Sequence, residues 1–465
     1  LRESFVDRKV AKTTGPHYHT PDMDNINSNE FNVSKLVFLG ILLAAIVAAW
    51  TVSTSRTTLI MEPVAPVCDE LTVSMPAGAS WQSASKGSWV YNENAFLQKS
   101  VHGNGPDCTV EVRYQLGPIT GDVNQYLSAA SRSLGLEVAS RGQQNVNGIE
   151  IMWAAFASPD EQPHFYYAVA PLGAERTVTV LVWGKPGTSA LVESVFEPVI
   201  KSLKYKDTGL LKKGAEIVSA IQETGLAALP EKPLFESFLI KDSAGKPTGF
   251  YFTKTATATN PQEAVFEIMY YKAAARTDFY RIRFSTPNLK DYVWYTWNPR
   301  NPSFGATVKV ENSVLGAGVR GYPRRSEFNL SDAAFADAII EQAAWQMIKT
   351  GVTEAVIDSV NYDGSIDPAH ITLGKAPVEG DKWKHSVRLA SMADPKVYSE
   401  IFFDIGGTIV RRTEHRQETD ELEQMDSRQI MTLFPQLAGE ITQFQNGNTD
   451  SGTGEKEVDY GRRPI

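Results

Sequence analysis

Seventeen consecutive residues, Leu36 to Val52 (LVFLGILLAAIVAAWTV), carry no charge and almost no polarity. A helix rises about 1.5 Å per residue, so seventeen to twenty residues cover a hydrocarbon core of roughly 30 Å. Val33 lengthens the run on one side, and Trp50 suits the lipid–water boundary near the other end. A buried core helix would carry some polar residue to face water, and nothing here does. A cleaved signal peptide would use Val47-Ala48-Ala49, but the run lies behind 35 residues instead of a short basic leader. The expectation is a signal anchor over residues 36–53, crossing an inner membrane once.

Charge marks the orientation only faintly. Lys35 abuts one end and Arg56 follows the other, and the head of 35 residues balances five Lys/Arg against five Asp/Glu. The cysteines weigh more. Cys68 and Cys108 are the only two, both within 60 residues of the apolar run. One disulfide between them would close a loop of about 40 residues, worth roughly 4 kcal/mol by chain entropy. The alternative is two buried thiols. A disulfide beside an anchor points to an oxidising compartment, with the carboxyl-terminal part in a periplasm.

The 465 residues are 42% hydrophobic and 10% aromatic, enough for two domains with cores of their own. A net charge of −9 without a basic block argues against a nucleic-acid partner. Residues 1–35 read as a disordered cytoplasmic tail, whose His17 and His19 are too few to hold a metal. Residues 54–67 end in MEPVAPV and read as an extended tether.

Residues 68–205 read as one α+β domain. Leu71–Met75 and Cys108–Leu116 alternate as strands. Asp122 caps a helix that Gly135 closes. Strands follow at 148–157, 164–170 and 176–183, with Gly173 in the last turn, and Thr188 opens a final helix to Leu203. Residues HFYYAVAPLGAERTVTVLVWG (164–184) followed by LVESVFEPVIKSLKY (191–205) resemble the PsbP/Mog1-like domains. That resemblance implies an α/β/α sandwich used for binding and assembly, without a common active site.

Lys206–Lys213 reads as a polar joint, and residues 214–430 as an antiparallel β-rich domain. DSAGKPTG separates strands 235–240 and 249–255 as a hairpin. Further strands are expected at 264–271, 279–285, 292–297, 306–312, 354–360, 382–390, 398–404 and 408–414. One long helix, Asp332–Thr350, is capped by Ser331 and stopped by Gly351. The pattern suggests a curved sheet or open barrel, similar in outline to the LolA/LolB-like lipoprotein carriers, whose sheet holds an acyl chain. That likeness is architectural. Residues 436–465 read as a disordered tail.

Several stretches imitate known sites and fail on context. Gly316–Gly321 matches GxGxxG, but no helix opens there to meet a pyrophosphate, so it reads as a glycine-rich turn. Phe403–Thr408 (FDIGGT) imitates phosphate loops, but a hairpin tip explains it. Asp358–Asp367 has the acid spacing of a calcium loop but the wrong first and last ligands, so it reads as a solvated turn. The five later histidines (His102, His164, His370, His385, His415) belong to no HExxH, GxSxG or CxxC frame. No catalytic, cofactor or metal set is expected.

The aromatic run Tyr292-Val293-Trp294-Tyr295-Thr296-Trp297 places rings on both faces of a strand. One face should pack the core; the other should line a cavity, receive the helix or meet a partner. Tyr292, Trp294, Tyr295 and Trp297 are therefore the candidate ligand or partner surface. The reading as a whole is a membrane-anchored binding or scaffold subunit, not an enzyme, beside a protein partner at the membrane. A carrier of lipid or another apolar ligand is the first alternative, and an envelope hydrolase the second.

Overall fold

The structure is a computed structural model. It describes residues 59–62, 65–66, 70–83, 90–92, 96–103, 107–117, 119, 122–173, 175–225, 234–257, 264–272, 277–284, 288–297, 305–319, 322–362, 364–378, 380–416 and 419–446. The expected tail, anchor and Cys68 lie outside these residues. No described helix is long and apolar enough to cross a membrane. The described residues from Ile60 onward form one compact unit.

The first sheet has eight strands: β1 Trp81–Ser83, β2 Val90–Asn92, β3 Phe96–Gly103, β4 Cys108–Gln115, β5 Glu137–Val146, β6 Ile149–Ala157, β7 Phe165–Leu172 and β8 Arg176–Gly184. They run in the order β1-β3-β4-β8-β7-β6-β5, with β2 beside β3. Every residue of β8 from Arg176 to Val182 is buried, because both faces are covered. Helix α1 (Val123–Leu134) lays Val123 and Leu127 on Phe156, Phe165 and Tyr167. The opposite face receives α2 (Ser189–Ser202), whose Phe196 ring stands 4.9 Å from that of Tyr166. Asp122 accepts from the Asn124 amide at 3.0 Å, and Gly135 closes α1 in the left-handed region, as the residue types require. β5 escapes sequence reading because it is an edge strand with most of its residues exposed and no apolar period to betray it.

The expected joint, Lys206–Lys213, runs into a helix. α3, Leu210–Thr224, buries Leu210, Ile217, Val218 and Ile221 at helical spacing, so Lys212, Lys213 and Glu216 only mask the period. The expected tether is likewise partly woven in: Ile60–Met61 pairs with Pro76–Ala77, and Ala65–Pro66 with Val73–Thr72.

The second sheet has fifteen strands. In chain order they are β9 Leu234–Lys241, β10 Pro247–Thr257, β11 Ala264–Lys272, β12 Thr277–Phe284, β13 Tyr292–Trp297, β14 Gly305–Glu311, β15 Val314–Val319, β16 Tyr322–Asn329, β17 Ala334–Ala336, β18 Glu354–Val360, β19 Ile366–Leu373, β20 His385–Ser391, β21 Tyr398–Phe403, β22 Ile409–His415 and β23 Thr419–Gln424. Each pairs with its neighbour in sequence, and β23 pairs back onto β9. Between β16 and β17 no pairing occurs among the described residues, so the barrel stays open at one seam. α4 (Ile340–Thr350) lies on the inner face, where Trp345 meets His385 and Phe403. Helices α5 (Ser427–Leu433) and α6 (Ala438–Gln445) cover the outer face of β9–β11 with Ile430, Phe434, Ile441 and Phe444. The disorder expected from residue 436 therefore gives way to a helix through Gln445.

The expected long helix from Asp332 also begins later. Ala334–Ala336 pairs in parallel with Asp358–Val360, and a 3-10 turn precedes α4. Ser331 does not cap a helix; its hydroxyl donates to the Asp358 carboxylate. Tertiary bonding overrides local propensity here.

The seam is where the two sheets meet. Arg176, opening β8, donates from Nη1 and Nη2 to the two oxygens of Asp358 at 2.8 and 2.7 Å. Their side chains are 2% and 0% exposed. A Cβ on Gly117 would stand 2.3 Å from the Asn329 carbonyl oxygen at the end of β16. One on Gly214 of α3 would stand 1.8 Å from the Val356 oxygen, along the part of β18 that β17 leaves unpaired. α3 thus covers a sheet edge that would otherwise invite pairing. Replacing Arg176 by Met alone should cost about 3–5 kcal/mol, because it strands a buried carboxylate. The double change Arg176→Met with Asp358→Leu should cost much less, measured by urea unfolding of all three proteins.

Candidate functional site

Strand register decides which residues face α4. Pairing aligns Trp294 with Val308, and Tyr292 with Val310, which in turn faces Leu315. All five are buried on the inner face, at 3% exposure or less. Further round, Phe238, Tyr251, Tyr270, Ile409 and Leu422 pack on the same side. The helix supplies Ile339, Ile340, Ala343, Ala344 and Met347, all buried. Among the described residues, this face of the curved sheet and the helix beside it are thus buried together.

Near the start of α4 the packing is incomplete. A cavity of about 90 Å³ is lined by Glu236, Tyr251, Thr253, Glu267, Glu341, Gln342 and Arg412, with Phe238, Ile268, Ile339 and Leu422 among its apolar walls. That volume is room for about three waters. Arg412 Nη1 donates to Glu341 Oε1 at 2.8 Å, and the side chains keep 20% and 18% of their surface. Burial pushes the Glu341 carboxyl up to about 7, against the pull of Arg412 and with help from Asp337 and Glu236. Glu236 is also raised by burial, against its hydrogen bond from Thr253. Asp367 is pushed up to about 6 by burial, although Ser391 donates to it at 2.8 Å. Asp337 accepts from Ser359 at 2.8 Å and faces Tyr292, whose hydroxyl is raised first by burial and then by that carboxylate. Burial thus makes these carboxyls hold their protons more tightly than exposed ones would, beside the seat of α4.

Of the four aromatics singled out by sequence, Tyr292 and Trp294 belong to this inner face. The side chains of Tyr295 and Trp297 lie outside the described residues. Cys108 is a free, buried thiol, so the expected disulfide with Cys68 is not formed. Burial, then the neighbouring Asp107, push this thiol up to about 12. Gly316 and Gly318 lie within β15, and no helix follows them: β16 is the next element. The 404–408 stretch is a hairpin tip, with Asp404 accepting from the Gly406 and Thr408 amides, both at 2.8 Å. Asp358 is no solvated calcium ligand, since Arg176 and Ser331 occupy it. The histidines are dispersed: His102 on Thr109, His370 on Glu354, His385 against Trp345 and His415 stacked on Tyr398. Among the described residues no group of three metal-ligating side chains forms.

Sequence reasoning missed Glu341 and Arg412. Glu341 is the one acid of the helix IEQAAWQMIKT and Arg412 one of several charges in the strand IVRRTEH, and only the fold reveals that they meet.

The architecture is a mixed α/β, strand-rich body with an open fifteen-stranded sheet. No protein-family model matches the chain, and no curated protein matches it. Among solved structures, a β-barrel-like protein of the DUF1849 domain from Brucella abortus is similar over 42% of this chain and 96% of its own, at 10% identity and a TM-score of 0.31. The cyanobacterial PsbP (CyanoP) of Synechocystis is similar over 30% of this chain and 88% of its own, at 11% identity and a TM-score of 0.22.

The raised carboxyls fix the sign of the pH dependence. A carboxyl whose folded pKa exceeds its unfolded value adds stability that is complete below the unfolded pKa, near 4, and fades as pH rises through the folded pKa. Unfolding free energy should therefore fall between about pH 5 and pH 8 at this site, by about 2–3 kcal/mol for Glu341. Glu341→Gln should flatten that slope and stabilise the protein at pH 8, measured by urea unfolding across the range. A thiol reagent at pH 8 should leave Cys108 unmodified until the protein unfolds, as followed by mass spectrometry.

Proposed function

We propose that the chain is a membrane-anchored binding or scaffold subunit of a membrane-associated protein assembly, its body on the periplasmic side of an inner membrane. The observation that supports this reading is the helix seated in the curved sheet. Among the described residues the cavity beside the start of α4 measures about 90 Å³, whereas pockets for drug-sized ligands run to about 300–1,000 Å³. The Arg176–Asp358 pair ties the two sheets together and α3 lies along β18, which suits a part whose task is to present surfaces. The anchor rests on residues 36–53 of the sequence. With Cys108 free, the periplasmic side rests on no disulfide.

A carrier of apolar ligands would need α4 to leave the hollow, exposing Ile340, Ala343 and Met347. Two measurements separate the readings. The full chain, purified in mild detergent, should elute on native-size chromatography with a partner protein at a mass above its own 51.2 kDa plus detergent. Organic extraction followed by mass spectrometry should yield no stoichiometric lipid. Elution as a lone chain carrying one lipid per protein would replace the scaffold by the carrier. Labelling intact cells from the outer side decides the compartment: a body that stays unlabelled lies on the cytoplasmic side.

A further inference from the structure

The segment that enters the body is fixed more firmly than a tether. Ile60–Met61 pairs with Pro76–Ala77, and the Glu62 amide donates to the Met75 oxygen at 2.8 Å. The Glu62 carboxylate turns inward to Lys99, an ammonium with 2% of its side chain exposed. A buried ammonium needs its partner, so this pair holds residues 60–62 in place. What remains outward is uncharged. Ile60 is 60% exposed and lies against the turn at Gly78, whose carbonyl accepts from the Trp81 amide at 3.0 Å. Ala79 is exposed and Trp81 half-buried beside it.

We propose that Ile60 and the turn Pro76–Trp81 rest on the surface of a phospholipid bilayer. The inference rests on the reading of residues 36–53 as an anchor, and it names the face of the body that meets the lipid. Covalent reach selects this face. From Ser53 to Ile60 a fully extended chain spans about 25 Å at most, so an anchor ending at Ser53 keeps Ile60 close to the headgroups. A β-branched apolar side chain, small turn residues and an indole suit that zone, where tryptophan is enriched. The Glu62 carboxylate, two residues from Ile60, is already committed to Lys99. Contact of Ile60 and the turn with a zwitterionic lipid should therefore not depend on salt, Arg56 being the one charge between Ser53 and Ile60. Other exposed apolar tips, Ile405 at 82% and Val378 at 74%, carry no such covalent constraint.

The test uses the full chain with Cys68→Ser, reconstituted into phosphatidylcholine vesicles. Ile60→Cys carries an environment-sensitive fluorophore; Ile405→Cys serves as the comparison, and Cys108 stays unlabelled in the fold. Flotation with the vesicles reports the anchor. A blue-shifted emission at position 60, lost to spin-labelled lipid and unchanged by salt, with little loss at position 405, supports the proposal. Flotation without loss of emission at position 60 overturns it and leaves the anchor standing. Failure to float overturns both. Loss of emission at position 405 in place of position 60 shows that another face of the body meets the membrane, and overturns it too.

Discussion

The buried pair of Arg176 and Asp358 is the constraint on which the arrangement of this molecule depends. A guanidinium and a carboxylate taken from water are expensive, and the cost is offset only when geometry and further hydrogen bonds are right. Here the pair is bidentate, and Ser331 gives Asp358 a further donor. The ring of Tyr114 lies 5.9 Å from the Arg176 guanidinium, and its hydroxyl donates to Glu70. Glu70 in turn accepts from Thr208, just before α3. One run of polar contacts therefore joins the first sheet, the start of α3 and the seam of the second sheet. Apolar packing alone would tolerate sliding between two bodies; a bidentate pair tolerates one registration.

The second sheet solves a different difficulty. An open sheet of fifteen strands has two edges and an inner face that must be dry or filled. The short β17 and helix α3 shield one edge, and α4 packs on the face. The packing is not wholly apolar. Glu341 and Arg412 share the interior with Glu236 and Asp337, so the seat of α4 is sensitive to protons where its hydrophobic side is not.

Much of this was legible in the residues. The helix from Asp122 to Gly135 carries both of its terminal signals, and the strands around Tyr166, Val180 and Trp294 alternate or run apolar as buried strands do. The 404–408 hairpin tip declared itself through paired glycines. Three kinds of element did not. β5 is an exposed edge with no apolar period. α3 hides behind lysines. The start of α4 was displaced because Ser331 and Ala334–Ala336 bond to β18 instead of continuing a helix. The site was less legible than the fold, since Arg176 and Asp358 lie 182 residues apart and neither sits in a motif. The same distance defeats any argument from local spacing about Glu341 and Arg412, 71 residues apart.

The way the second sheet closes on itself bears on how the chain reaches this state. Nearly every strand pairs with its neighbour along the chain, so each half can zip up from local hairpins at small entropic cost. The exception is the ladder between β9 and β23, where Phe238 meets Gln424 across the whole length of the sheet. Pairings of such separation are slow, and until they form two unfinished edges stand open to neighbouring chains. The first sheet, made earlier during synthesis, already holds Arg176 at the start of a finished strand. It can receive Asp358 as that residue emerges, and so act as a mould against which the later and slower half is cast.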